Sequence, residues 1–201
     1  GYSSAASDVY KRQTDSIRKR GFKAQAERSA IKYREALHIH PCGALCAFEL
    51  AKYLDVHICS ALEFFPELKA TDSLSCEWSA LTLVAQSGNR IIIYNPFHTE
   101  ARKQSDVMHE LAHIICKHTR EQKQYEFQIP FGMHEYNDTQ EEEAKCLGAT
   151  LQLPQPSLLW ASKNNMSNKE IASYFNASEE MVQYRINLTG INKRKRQWSK
   201  N

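Results

Sequence analysis

The sequence predicts a helix-rich α+β fold with a small β-sheet at its centre and a helix-turn-helix-like helical part at its C-terminal end. Apolar residues recur at helical spacing on both sides of the chain's centre, whereas β-type apolar runs lie only within it. The 201 residues are 42% hydrophobic and 24% charged. No apolar run reaches the roughly 18 residues that a membrane span needs, so we expect a globular, cytoplasmic protein without a membrane segment.

The spacing of apolar residues predicts where each helix and strand lies. Helices are expected over residues 14–37, 44–54, 99–118 and 138–153, with shorter ones near 156–163, 168–175 and 178–188. Strands are expected at 56–59, 81–85 and 90–94. The last two strands flank a short polar loop in which Gly88 suits the positive φ of a hairpin turn.

The chain is expected to have four segments. Residues 1–13 lack periodicity and resemble a translated cloning adaptor, so they are left out of the fold prediction. Residues 14–154 form the main domain, 155–190 a C-terminal helical subdomain, and 191–201 a basic tail.

The net charge of +3 comes from the ends of the chain. Residues 193–201 carry five basic and no acidic residues, whereas residues 14–192 carry 19 basic and 22 acidic ones. Because the expected folded part is mildly acidic, a nucleic-acid partner is possible but not favoured. We expect the tail to be a solvated terminus.

Six cysteines are present, and we expect reduced, mostly buried thiols because no secretory signal supports an oxidising compartment. An alternative is a structural zinc site made of His38, His40, Cys42 and Cys46. No second ligand pair follows at the spacing of a zinc finger, so an ordinary helix entry after Pro41 is favoured.

The sharpest signal is His109-Glu110-Leu111-Ala112-His113. On a helix, residues four apart share one face, so both imidazoles can bind one zinc ion while Glu110 projects beside it. Glu110 can then accept a proton from water and pass it to a leaving amine. The flanking residues are apolar, and a buried helix with two histidines and a glutamate would be costly unless a metal satisfied them.

A catalytic zinc ion needs a third protein ligand, and the acidic run Glu141-Glu142-Glu143 opens the next expected helix. Acidic residues also favour a helix N-terminus through the helix dipole, which is the simpler explanation of the run. Glu143 lies beside the expected buried stripe of that helix and is the preferred third ligand, with Glu142 and Glu141 as alternatives.

These segments together resemble the ImmA/IrrE family of zinc metallopeptidases. The resemblance runs from about Gly21 to Gly190 and is carried by Trp78–Pro96, Ser105–His118 and Glu141–Pro154. It implies a gluzincin-like, zincin-type core, Zn²⁺ as cofactor, and zinc binding by the glutamate before the alanine, here Glu143. Lys145 departs from the family pattern, which has Asn or Asp at this place.

The resemblance further implies a zinc endopeptidase whose protein substrate is a helix-turn-helix transcriptional repressor. The substrate would add as a strand to an edge strand formed by Arg90, Ile91, Ile92, Ile93 and Tyr94. Three residues of the loop after the catalytic helix are candidate donors to the oxyanion: Tyr125, His134 and Tyr136. The alternative, which Lys145 keeps open, is a catalytically weak or inactive regulator that binds a repressor or DNA.

Residues 167–186 have helix-turn-helix spacing, with Ala172 in the first helix, Ser178 as the second N-cap, and Val182 and Ile186 as core contacts. A DNA-reading helix normally presents basic or amide side chains in its first turn. Here that turn begins with two glutamates, so a packing module is favoured over DNA binding.

Overall fold

A computed structural model describes residues 21–68, 78–84, 88–119 and 136–191. The adaptor-like segment 1–13, residues 85–87 of the hairpin loop, Tyr125, His134 and residues 192–201 of the tail lie outside this description. Within it the fold is α+β and helix-rich, as the sequence predicts.

The elements follow the expected order, and their described ends lie within a few residues of the expected ones. Residues 14–20 of the first expected helix lie outside the described residues. They are α1 (21–36), α2 (Ala47–Tyr53), β1 (His57–Ser60), a 3₁₀ turn (Ala61–Glu63), β2 (Ala80–Val84), β3 (Arg90–Tyr94), α3 (Glu100–Ile115), α4 (Asp138–Gln152), α5 (Gln155–Lys163), α6 (Asn168–Phe175) and α7 (Glu179–Thr189). None of these helices is both long and apolar enough to cross a bilayer.

The sheet corrects one prediction. Its strand order is β1-β3-β2, with β1 parallel and β2 antiparallel to β3. The prediction that Arg90–Tyr94 forms an edge strand is therefore wrong, because β3 is the central strand. Its continuous run Ile91-Ile92-Ile93 is the pattern of a strand covered on both faces. Within the described residues, β2 pairs with β3 alone.

Helix α3 begins at the N-cap Thr99, whose hydroxyl oxygen accepts from the backbone N–H of Arg102. It ends at Ile115, three residues before the predicted end, because Lys117 adopts a left-handed conformation with φ of 55°. The N–H groups of Lys117 and His118 donate to the carbonyls of Ile114 and His113, at 3.1 and 3.0 Å. This Schellman turn closes the helix and reverses the chain.

Helix α4 lies against α3 at very short range. It starts with a capping box between Asn137 and Gln140. At Gly148, a Cβ atom would lie 3.2 Å from the carbonyl oxygen of Met108 and 3.3 Å from the backbone nitrogen of His109. Because the tight neighbours are backbone atoms of α3, a Cβ atom here would require the helix that carries His109 to shift by a few tenths of an ångström, and glycine allows the close approach.

Two hydrophobic cores are present. We call first core the buried cluster of α1, α2, β3, α3 and α4, which includes Leu50, Ile92, Met108, Leu111 and Leu151. We call second core the buried cluster of α5, α6 and α7, which includes Leu158, Phe175 and Val182.

Buried polar side chains connect separate elements, and two of them, Gln152 and Arg185, join the parts of the chain that hold the two cores. Gln152 accepts from the hydroxyl of Ser105 and donates to the carbonyl of Asn176. The buried Arg34 donates to the carbonyls of Gly43, Ala30 and Gln152, and burial lowers its pKa to about 10. Arg185 donates to the carbonyl of Leu153 and, at 2.6 Å, to the carboxylate of Glu27.

Helices α6 and α7 form the expected helix-turn-helix arrangement. Ser167 and Ser178 cap the two helices, and Asn176 turns the chain between them with φ of 49°. The predicted core contacts of this unit, Val182 and Ile186, are buried, and so is Ala172 in its first helix. The first turn of α7 presents Glu179 and Glu180 to solvent.

Candidate metal centre

The two histidines of α3 point their ring nitrogens at one another. The Nε2 atoms of His109 and His113 are 3.1 Å apart, and the rings meet edge to face with centroids separated by 4.8 Å. His113 is buried and His109 partly exposed. The i, i+4 spacing therefore brings the ring nitrogens of both histidines to one point, as the sequence predicts.

Glu141, in the first turn of α4, brings a carboxylate to the same point. One of its oxygens lies 3.1 Å from Nε2 of His109, and the other lies 3.6 Å from Nε2 of His113. One ligand atom from each of these three residues lies within 4.8 Å of the other two, and no second group of this kind occurs in the part of the chain that the structure describes. Two imidazoles and one carboxylate are a donor set that fits zinc with an open fourth position.

The alternative cluster around Cys42 is not formed in the described residues. His40 uses its Nδ1 atom to accept from the backbone N–H of Cys42, and the thiol of Cys42 lies 3.6 Å from the carbonyl oxygen of Pro156. Residues 41–43 form the turn that leads into α2.

Glu110 lies on α3 beside the two histidines and is buried. Its carboxylate accepts a 2.5 Å hydrogen bond from the hydroxyl of Thr82, a buried residue of β2. Sequence reasoning missed Thr82, because nothing in the alternation of β2 distinguishes this threonine from an ordinary strand residue. Only the packing of the sheet on α3 brings the two side chains together.

Glu143, the preferred third ligand from the sequence, contacts a different histidine. Its Oε2 atom lies 3.1 Å from Nε2 of His118, and Nδ1 of His118 lies 2.9 Å from Nδ1 of His113. His118 was also missed. On a continuous helix, five residues of spacing would turn its side chain about 140° away from His113, but the Schellman turn at Lys117 brings it back.

Among the candidate oxyanion donors, only Tyr136 lies within the described residues. Its ring stacks on that of His113, with a centroid distance of 3.6 Å and an interplanar angle of 11°. The Nζ atom of Lys145 lies 5.4 Å from the ring centroid of Tyr184 on α7.

Cys116, the C-cap of α3, stays protonated at neutral pH. Burial raises the pKa of its thiol to about 11, and the negative charge of Glu143 adds to the effect. A neutral thiol is a poor nucleophile and a poor metal ligand. The chemistry of the site therefore belongs to the histidines and carboxylates.

The centre thus has the donor set of a mononuclear metal hydrolase, with a buried carboxylate beside it. Residues 51–187 match the family model described as the IrrE N-terminal-like domain, a peptidase family. The match covers more than half of the chain, which therefore belongs to this family and has a metallopeptidase-type function. No curated protein and no solved structure matches the chain.

Proposed function

We propose that this protein is a zinc-dependent endopeptidase with a single catalytic centre on α3. The observation that carries the proposal is the convergence of His109, His113 and Glu141 on one point beside the buried carboxylate of Glu110. Family membership supports peptide-bond hydrolysis as the reaction.

His109, His113 and Glu141 are the proposed zinc ligands. The sequence favoured Glu143 and kept Glu141 as an alternative, and the distances favour Glu141. Its carboxylate faces both Nε2 atoms, whereas the carboxylate of Glu143 faces His118. Both glutamates lie near the N-terminus of α4, and a two-residue difference rotates the side chain by about 200° around the helix.

When bound, zinc supplies a Lewis acid that polarises the scissile carbonyl and makes water nucleophilic at neutral pH. Glu110 is the proposed general base, which accepts a proton from the attacking water and then donates it to the leaving amine. The hydroxyl of Thr82 holds one carboxylate oxygen of Glu110, so the side chain has a defined orientation. Tyr136 remains the proposed oxyanion donor within the described residues.

The substrate segment is proposed to add to β2 rather than to β3. Substrate contact by residues 90–94 as an edge strand is not possible, because β3 is paired on both sides. β2 pairs only with β3 in the described part of the chain, and its Thr82 contacts Glu110. A peptide paired with β2 would therefore run directly past the proposed general base.

A helix-turn-helix repressor in the cytoplasm is the proposed substrate, on the basis of the sequence resemblance. A second candidate function is regulation by binding a repressor or DNA without hydrolysis. The helix-turn-helix arrangement of α6 and α7 is the observation behind it. Exposed Glu179 and Glu180 at the start of α7 place negative charge where a DNA-reading helix faces phosphates, which favours the peptidase.

The deciding experiment compares the wild type with Glu110→Gln. Zinc per chain is measured by mass spectrometry of the native protein, and cleavage is measured on a proteome-derived peptide library and on a helix-turn-helix repressor encoded beside the gene. We expect both proteins to bind one zinc ion, and the variant to cleave at least about 100-fold more slowly. Equal cleavage by both would contradict the role of Glu110, and zinc binding without wild-type cleavage would favour the regulator.

A further inference from the structure

The innermost histidine of the proposed zinc site is backed by a second histidine and a carboxylate. Nδ1 of His113 lies 2.9 Å from Nδ1 of His118, and Nε2 of His118 lies 3.1 Å from an oxygen of Glu143. The side chain of His118 is 6% exposed and that of Glu143 is 23% exposed. The contacts therefore run from Glu143 through His118 to His113, which is a proposed zinc ligand.

We propose that His118 and Glu143 are positioning residues that fix the proton of His113 on Nδ1, so that its Nε2 lone pair faces the metal. The inference rests on the proposed zinc site. In this arrangement Glu143 supports the ligand His113 through His118.

The direction of the hydrogen bonds follows from the donors and acceptors available. An ionised carboxylate can only accept, so Nε2 of His118 carries the proton that faces Glu143. In a neutral imidazole only one ring nitrogen carries a proton, so Nδ1 of His118 acts as the acceptor in this arrangement and Nδ1 of His113 as the donor, 2.9 Å away. Nε2 of His113 is left unprotonated, as a metal ligand must be.

The backbone is built to place His118 at this point. Lys117 holds a left-handed conformation in which glycine is the usual residue, and the resulting Schellman turn brings the residue after it back onto the last turn of α3. In such turns that residue frequently makes an apolar contact with the helix. Here the contact is the hydrogen bond between His118 and His113, and the ring of Tyr136 stacks on that of His113.

The first test needs no substitution and no metal. Imidazole nitrogen shifts of the zinc-free wild-type protein, measured by long-range ¹H–¹⁵N spectroscopy near pH 8, report which ring nitrogen of each histidine carries the proton. We expect the Nδ1-protonated form for His113 and the Nε2-protonated form for His118. An Nε2-protonated His113 would overturn the proposal.

The second test uses the matched pair His118→Asn and His118→Leu, which have nearly the same shape. The amide oxygen of asparagine can still accept from Nδ1 of His113, whereas leucine cannot. Competition with a chromophoric chelator should show zinc affinity about 10–100-fold weaker for His118→Leu and within about threefold of the wild type for His118→Asn. The control His57→Leu removes an exposed imidazole from β1 and should leave the affinity unchanged.

The same titration with Glu143→Ala should give a loss of about 10-fold, because His118 keeps its position but loses the group that sets its proton. Equal affinities for wild type, His118→Leu and Glu143→Ala would overturn the proposal. Complete loss of zinc in Glu143→Ala would also overturn it, by making Glu143 a ligand.

These readouts do not depend on hydrolysis. A protein that binds zinc and shows the expected tautomers, yet cleaves no peptide, contradicts the proposed function and leaves the positioning role intact. A protein that cleaves peptides but has His113 protonated on Nε2 in its zinc-free form contradicts the positioning role and leaves the proposed function intact.

Discussion

The two hydrophobic cores differ in what they bury. The first core includes residues of the metal-site helix α3. Glu110 and His113 on that helix and Thr82 on β2 are also buried, each in contact with another polar group. The second core, built from α5, α6 and α7, is packed from apolar side chains such as Leu158 and Phe175. Burying polar groups costs free energy unless they are paired. The three buried polar groups named beside the first core belong to the proposed catalytic centre, whereas Arg185, which is buried beside the second core, pairs with Glu27 and joins α7 to α1.

The largest expected effect tests that division with one truncation in each core. Phe175→Ala and Leu111→Ala both remove fully buried side chains and should each lower the free energy of unfolding by about 3–5 kcal/mol. Leu111 packs α3, the helix that carries His109 and His113, into the first core. Only its truncation should therefore also weaken zinc binding. Thermal unfolding and zinc titration of the folded variants would check this. Zinc loss in Phe175→Ala alone would show that the second core supports the site.

The next effect distinguishes the two glutamates of α4. Glu141→Ala should weaken zinc binding by more than about 100-fold, beyond what loss of a supporting residue causes, because it removes a proposed ligand. Glu143→Ala should weaken zinc binding by a smaller factor. Chelator competition on both variants gives the answer, and the reverse order would return the ligand role to Glu143.

Thr82→Val should lower kcat/KM by about 10-fold, the scale of a lost hydrogen bond to a charged group. The valine keeps the shape of the threonine but cannot donate to Glu110. Zinc affinity should not change, and Thr82→Ser, which keeps the hydroxyl, should recover most of the activity. If the valine variant bound zinc more weakly, Thr82 would be acting on the metal ligands rather than on the base.

The ends of two helices provide a smaller test. Lys117→Gly should raise the free energy of unfolding by about 0.5–1 kcal/mol, because glycine reaches the left-handed conformation without a steric cost. Asn176→Gly, in the corresponding position of α6, should change it less because asparagine tolerates this conformation. Denaturant unfolding of both variants compares them, and a destabilised Lys117→Gly would show that the lysine side chain itself contributes.

The smallest effect concerns the pH dependence of stability at an exposed carboxyl of α6, Glu170. Hydrogen bonds from the backbone N–H and the hydroxyl of Ser167 lower the pKa of Glu170. A carboxyl with a lowered folded-state pKa stabilises the protein above its unfolded-state pKa, and this stabilisation is lost as the pH falls through the folded-state value. Glu170→Gln should therefore lower Tm at pH 7 and make little difference near pH 3. Glu179→Gln, which removes an exposed charge from α7, is the control.

The sequence predicted the local features of the fold well. Helical spacing located α3 and α4, Pro154 marked the end of α4, and the positive φ of Gly88 is present as expected for the hairpin. These features depend on residues close together in the chain. The edge-strand prediction failed because the partner of β3 on its second side is β1, which lies some thirty residues earlier.

By itself the sequence determined that His109 and His113 share a helix face with Glu110 beside them, since the 3.6-residue period of a helix follows from backbone geometry alone. Only the tertiary structure decided which glutamate faces the two Nε2 atoms, that Thr82 holds Glu110, and that His118 supports His113. Each of these depends on a close approach between separate elements, at Gly148 between α3 and α4, or on the left-handed turn at Lys117. Such contacts are set by packing and chain reversal, which no periodicity in the sequence encodes.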